Sequence, residues 1–184
     1  MDVTGFPDGP ATRVGVAITD YLAGLYAMNG ILLALRERDK SGQGQHVDIG
    51  LLDSLTSTLA LPALVYFNTG KAPGREGNQH HALTPYETIP VSDGIVVVAV
   101  GNPNLWTQFC NAIAATDLEH DPRYETNTNR MKNRDALVRE LSQRLRSYTR
   151  NDMIVRLRTN NVQCTEVRTK AEAKEDPQLQ ARSK

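Results

Sequence analysis

The chain has 184 residues, 21 Lys and Arg against 21 Asp and Glu, and 40% hydrophobic content, enough for one domain with a core, or one and a half small ones. Zero formal net charge and 5% aromatic residues point away from nucleic acid, an anionic membrane surface or a base-stacking platform. The two cysteines, Cys110 and Cys164, lie far apart and fit no metal or CxxC spacing, which predicts a reduced, cytoplasmic protein without bound metal and with both thiols as packing residues.

Met1 to Thr12 is rich in Gly, Pro and Asp and reads as a loop. It has no apolar signal core, and no apolar run is expected to reach the length of a membrane span. Arg13 follows, as a solvated loop residue or an anion anchor. Val14 to Thr19 reads as extended. From Asp20 to about Arg38, apolar residues recur at Tyr21, Leu22, Leu25, Met28, Ile31, Leu32 and Leu35, close to the helical period. Asp20 is then expected as the N-cap, where its carboxylate accepts from first-turn amides and the helix dipole favours an anion. A structural cap and a presented nucleophile both fit that place. Gly24 and Gly30, with Ala23 and Ala27, suggest close approach of another backbone. Gly42-Gln43-Gly44-Gln45 matches neither a phosphate loop nor a dinucleotide loop and reads as a turn into a short strand, Gln45 to Ile49. Leu51 to about Asn68 is a second helical run with a kink at Pro62.

Thr69 to Leu83 is polar and Gly-rich, a boundary between two structural units. His80 and His81 are adjacent, so in an extended chain they point opposite ways and form no metal pair. Thr84 to Val100 reads as a hairpin turning at Ser92-Asp93-Gly94, its second strand apolar enough for burial on both faces. Pro103 opens a helix capped by Asn102, with Leu105, Trp106, Phe109, Cys110 and Ile113 inward. Asp117 to Met131 reads as a polar connection. Arg134 to Tyr148 is an amphipathic helix on Leu137, Leu141 and Leu145. A shorter helix starts near Arg150 behind a Thr149 cap, with Ile154 and Leu157 inward. Between residues 121 and 158, Lys and Arg outnumber Asp and Glu ten to five, either as a solvated face or as a field that steers an anion.

Two patterns carry a resemblance. The stretch GVAITDYLAGLYAMNGILLALRERDKSGQGQHVDIGLLDS resembles the family III CoA-transferases, which include formyl-CoA transferase, carnitine CoA-transferase and the alpha-methylacyl-CoA racemases. Arg38, Gly42, Gly44, Gln45, Val47 and Asp48 match the family's R-x-x-x-G-x-G-Q-x-V-D segment, and Asp20 falls on its catalytic carboxylate. Pro85-Tyr86, Asp93-Gly94, Gly101-Asn102, Trp106, Phe109 and Cys110 resemble the family's small domain. Near the C-terminus, Asp176-Pro177-Gln178 with Ala181-Arg182 fits a family stretch, whereas Val162 to Val167 departs from its V-P-x-G-P-V pattern.

The resemblance implies an α/β fold, the central fragment of the family architecture. Residues 1–68 would be part of the large domain, a helical hairpin with a short strand that carries Asp20. Residues 69–83 would form the glycine-containing loop, in which Gly77, Asn78 and Gln79 contact reacting acyl groups. Residues 84–184 would be a small α+β domain and the start of the return segment. The implied activity is transfer of CoA between an acyl-CoA thioester and a free carboxylic acid through an aspartyl intermediate. CoA would be a co-substrate, with its binding residues mostly upstream of Met1, no tightly bound cofactor, and a homodimer in a full-length parent. Two alternatives stand beside it. One is an acyl-CoA racemase of the same family, although Gly101-Asn102-Pro103-Asn104 holds no acid where that branch has Glu. The other is a truncated, catalytically silent α/β module.

Overall fold

A computed structural model describes residues 1–182. The chain divides into residues 1–77 and a second unit that begins at Asn78.

The first unit is helical. Its long helix α1, Ile18–Ser41, ends on Gly42, whose left-handed φ of 74° lets its amide bond back to the Arg38 carbonyl. Two shorter helices follow, α2 (Leu51–Thr56) and α3 (Ala60–Thr69), joined by a 3₁₀ turn at Ser57–Leu59. That turn is the break expected from Pro62, which lacks an amide and crowds the carbonyl four residues back. Gly30 brings α1 against the segment before α2, since a β-carbon there would stand 2.7 Å from Val47 Cγ1. Gly24 faces open space. The Tyr26 hydroxyl meets Ser57 Oγ at 2.7 Å.

Two expected strands are absent from this unit. Val14 to Thr19 is irregular before it enters α1, and Gln45 to Ile49 has no ladder. No strand lies beside either, so their backbone groups have nothing to pair with.

The first unit also lacks an apolar core. No residue of α1 is buried, and Ser54 is the buried residue of α2. Leu25, Ile31, Leu32, Leu33, Leu52, Leu64 and Phe67 are all more than half exposed. Contrary to the sequence expectation, α1 is by length and composition apolar enough to cross a membrane. The exposed apolar residues extend over α2 and α3 as well, and those helices are too short to span.

The second unit holds the core, from Ile89 to Val162. Strands β1 (Tyr86–Val91) and β2 (Gly94–Ala99) form the expected hairpin, with Ile89 opposite Val96. A third strand, β3 (Gln163–Glu166), pairs antiparallel with β2 and places Cys164 opposite Val98. It occupies the stretch that departs from the family's proline pattern, where non-proline residues keep their ladder amides. Val96 and Val98 are fully buried, while Ile95 is 41% exposed, so β2 is covered fully on one face only. This corrects the two-faced burial, because the chain's helices α7 (Arg134–Leu145) and α8 (Arg150–Thr159) supply contacts to a sheet of only three strands.

Helix α4, Pro103–Ala112, is capped by Asn102, whose Oδ1 accepts from the Leu105 amide at 2.9 Å. Trp106, Phe109 and Cys110 are buried on its inner face. The expected polar connection is instead structured. It contains α5 (Thr116–Glu119) and α6 (Asn127–Lys132), and it buries Tyr124 and Arg130. The Arg130 guanidinium donates to the Thr84 and Tyr124 carbonyls at 2.8 and 2.9 Å and lies over the Trp106 ring. Thr149 caps α8 as expected. Arg150 ties the β1–β2 turn to the tail through Asp93, Glu166 and Glu172. Glu172 belongs to the capping box of α9 (Lys170–Lys174), which is followed by α10 (Pro177–Arg182).

Part of the local basic excess is taken up in such pairs. Arg123 meets Asp121, Arg134 meets Glu87, and Arg144 meets Asp117 and Glu140. The sheet-and-helix unit should therefore fold alone. A peptide starting at Asn78 is expected to unfold cooperatively with a Trp106 fluorescence change, and residues 1–77 alone are expected to give no cooperative transition, because each exposed large apolar side chain forgoes about 1.5–3 kcal/mol of burial. Burial pushes the Cys110 thiol up to about 12. Maleimide at pH 8 should label the half-buried Cys164 while leaving Cys110 unlabelled until the unit unfolds, as read by peptide mass spectrometry.

Candidate functional site

Asp20 lies in the first turn of α1, at its third residue, and not at the cap. The helix starts two residues earlier than the periodicity indicated, with Ala17 in the N-cap position. The Ile18 amide bonds to the Val16 carbonyl at 2.8 Å, and that local turn starts the helix without a capping side chain. Alanine supplies no acceptor, so the N-terminus of α1 has no side-chain cap. Asp20 is exposed, and its carboxylate makes no hydrogen bond or ion pair among the described residues. A carboxylate that is not engaged as a cap is open to react. The nearby first-turn amides and the positive end of the helix dipole suit anionic oxygens.

The motif residue Asp48 leads into α2. It lines a shallow cleft with Tyr26, Asp53, Ser54 and Ser57. Ser54 is held by its own bond to the Gly50 carbonyl at 2.8 Å. The Tyr26–Ser57 hydroxyl pair ties α1 to the turn after α2, and Asp48 lies in the same cleft beside the helix that carries Asp20. No group of His, Cys, Asp and Glu able to hold a metal occurs among the described residues.

Gly77 is fixed by the N-terminal loop. Its amide donates to the Gly5 carbonyl at 2.9 Å. Its φ of 62° is in the left-handed region, and a β-carbon there would stand 2.7 Å from the Phe6 ring. Arg75 reinforces the junction by donating to the Gly9 carbonyl at 2.9 Å. Only glycine meets both demands without strain.

Asn78 and Gln79 are exposed at the start of the second unit. The Asn78 amide reaches Thr88 Oγ1 at 3.4 Å. Residues 80–84 belong to no strand or helix, yet four of their carbonyls, those of His80, Ala82, Leu83 and Thr84, accept from side chains. Arg134 donates to His80 O at 2.9 Å and Leu83 O at 3.4 Å. Asn127 donates to Ala82 O at 2.8 Å and accepts from the Thr84 amide at 3.3 Å. His80 and His81 do not point apart. Their rings stack at 4.4 Å, and Tyr86 stacks on His80 at 4.8 Å. The chain bends at His81 and Ala82, so the alternation of an extended segment does not apply.

The structure thus adds Phe6 and Arg75 as neighbours of the backbone around Gly77 in the first unit, and Asn127 and Arg134 as partners of residues 80–84 in the second. Their partners are mostly backbone carbonyls distant in sequence. The one local cue is the Gly-rich, Pro-rich composition of both segments that meet at Gly77.

Comparison with known proteins supplies the wider frame. The model of "CoA-transferase family III" matches residues 1–184. The succinate–glutarate CoA-transferase of Agrobacterium fabrum is 35% identical over 182 residues, which cover 99% of this chain and 46% of that protein. The acetyl-CoA:oxalate CoA-transferase of Acetobacter aceti is 38% identical over 146 residues, covering 79% of this chain and 38% of that one. A crystal structure of a CAIB/BAIF family protein from Brucella suis superposes with a TM-score of 0.89 at 37% identity, over 100% of this chain and 48% of that one. The chain spans less than half the length of these proteins.

Gly77→Ala is expected to loosen the loop, since a non-glycine residue held at positive φ costs about 1–3 kcal/mol. Limited proteolysis between residues 70 and 77 should speed up. Adding Phe6→Ala should recover only part of the loss, because it removes the ring contact and leaves the backbone strain.

Proposed function

The chain belongs to CoA-transferase family III, and on that premise we propose that it carries the catalytic carboxylate of an enzyme moving CoA between an acyl-CoA thioester and a free carboxylic acid. The observation that supports this reading is Asp20. It sits in the first turn of an uncapped helix, exposed and unpaired among the described residues, where the sequence resemblance would put the family's catalytic carboxylate. The names of the relatives favour small dicarboxylic acids, such as succinate, glutarate or oxalate, as the acids exchanged.

The chemistry follows from the carboxylate. Asp20 attacks the donor thioester carbonyl, the C–S bond breaks, and a mixed anhydride and CoA thiolate form. The thiolate attacks the aspartyl carbonyl of the anhydride and releases the donor acid, leaving an aspartyl-CoA thioester. The acceptor carboxylate attacks that thioester and expels the thiolate, giving a second anhydride. The thiolate then attacks the acceptor's acyl carbonyl, and Asp20 leaves as a free carboxylate. One difficult exchange is divided into easier covalent steps without an added base. The open amides of the α1 N-terminus can stabilise the developing oxyanions. Gly77, Asn78 and Gln79 would form the loop that contacts the acyl group and excludes water, which would otherwise hydrolyse the anhydride.

The uncovered apolar surface of the first unit supports an assembled enzyme. Exposed leucines occur on α1, α2 and α3, as expected of a surface that meets protein in a larger assembly. A homodimer and a cytoplasmic location belong to this proposal, with CoA entering as a co-substrate and no tightly bound cofactor.

Incubation with succinyl-CoA or acetyl-CoA and hydroxylamine should leave a hydroxamate on Asp20, detected by mass spectrometry of the digest. Asp20→Ala should abolish exchange while changing stability by only about 0.5 kcal/mol, as for an exposed site without partners. Exchange retained by that variant would end the nucleophile assignment.

A further inference from the structure

We propose that His80 is a pH-sensitive latch. Its neutral ring holds the bend at His81 and Ala82 closed, and protonation releases the Ala82 amide. The latch lies wholly in the second unit and does not depend on the transferase reading above.

The bend is held from two sides. Asn127 of α6 takes the Ala82 carbonyl at 2.8 Å, and Arg134 of α7 takes the His80 carbonyl at 2.9 Å. The Ala82 amide has a different partner. It donates to His80 Nδ1 at 3.1 Å, across two residues. A side-chain acceptor that reaches the amide two positions on is the arrangement by which Asn and Asp close Asx-turns. Here an imidazole supplies the acceptor, and of those three side chains only imidazole changes charge close to neutral pH. His80 is half-buried, so its ring exchanges protons with solvent.

The bond fixes the tautomer. Nδ1 must offer its lone pair, so the single ring proton of neutral His80 sits on Nε2. A second proton has only that lone pair to take. Once protonated, the Nδ1–H faces the Ala82 N–H, donor against donor. Turning the ring over does not restore the bond, because an imidazolium has two N–H groups and no acceptor. The bond is therefore present while His80 is neutral, and it is lost as pH falls through the range in which the ring takes up its proton.

The groups around the ring set the balance. The His80 amide is tied to the Tyr86 carbonyl at 3.0 Å, and the rings of His81 and Tyr86 stack on the imidazole at 4.4 and 4.8 Å. These contacts keep the neutral ring beside the bend. The Tyr86 face also attracts a cation and favours the imidazolium. Two groups oppose it. A second imidazole stands at His81, and two stacked imidazolium rings repel. The Arg134 guanidinium lies at the His80 carbonyl. Glu87, the carboxylate of β1, is already engaged by Arg134 and by the Thr84 hydroxyl. From α6, Arg130 is directed to the Thr84 carbonyl. Thr84 is fully buried, so release stays local: the bend opens and the entry to β1 holds.

The test follows the full chain by NMR from about pH 8 to about pH 5, with isotope-labelled alanine and histidine. The Cε1 signal of His80 reports its proton, and the Ala82 amide reports the bond. Two variants accompany it. His80→Asn keeps an acceptor two residues before the same amide but takes up no proton. His81→Ala removes the neighbouring ring and leaves the acceptor.

In the unaltered chain the Ala82 amide should titrate together with the His80 ring. Its hydrogen exchange, corrected for the intrinsic effect of pH, should be about tenfold faster in the protonated state, the size of one lost hydrogen bond, while β2 keeps its protection. His80→Asn should keep the Ala82 amide protected at every pH, and His81→Ala should retain the coupled titration. An Ala82 amide that stays protected while His80 titrates would overturn the latch, and the unaltered chain reads that outcome without any variant. Loss of β2 protection in step with Ala82 would overturn it too, since the change would then be unfolding of the unit. A response that survives in His80→Asn, or vanishes in His81→Ala, would remove the assignment to His80.

Discussion

The buried guanidinium of Arg130 is the constraint on which the second unit depends. A charge taken out of water is costly unless its donors are satisfied. No carboxylate pairs with it among the described residues. Three backbone carbonyls and the Trp106 ring do so instead, drawn from the segment before β1, from the α5–α6 connection and from α4. Those segments must come together for the charge to be tolerated. The apolar core then closes around the junction, with Trp106, Phe109, Leu137, Leu141 and Leu157 all buried. Arg134 and Asn127 extend the same logic outward to the loop that follows Gly77.

The first unit is held by different forces. Its internal contacts are a glycine-permitted approach at Gly30, a hydroxyl pair between Tyr26 and Ser57, and the knit of residues 5–9 with 75–77. None of these buries much apolar surface. The exposed first turn of α1 leaves the Asp20 carboxylate open to solvent.

Much of the second unit was legible. The turn at Ser92-Asp93-Gly94, the Asn102 and Thr149 caps, and the leucine spacing of α7 are local signals, and each appears where the pattern placed it. The strand Gln163–Glu166 was not legible, because four residues without alternation become a strand only when β2 is beside them. The same reason, reversed, removed the strands expected at Val14 and Gln45. The stacking of His80 on His81 was hidden too, because it depends on a bend that remote side chains impose.

Sequence alone determined where α1, α4, α7 and α8 start to within a turn, which faces of α4, α7 and α8 turn inward, and that Asp20 belongs to the head of a long helix. These follow from short-range periodicity and capping chemistry, which operate within one turn of chain. Tertiary structure decided that Ala17 and not Asp20 takes the cap position, that Arg130 is buried, and that the carbonyls of His80, Ala82, Leu83 and Thr84 accept from side chains of α6 and α7. It also decided that the apolar face of α1 stays uncovered within this chain. Each of those outcomes depends on which distant backbone or surface is available as a partner, and no local pattern carries that information.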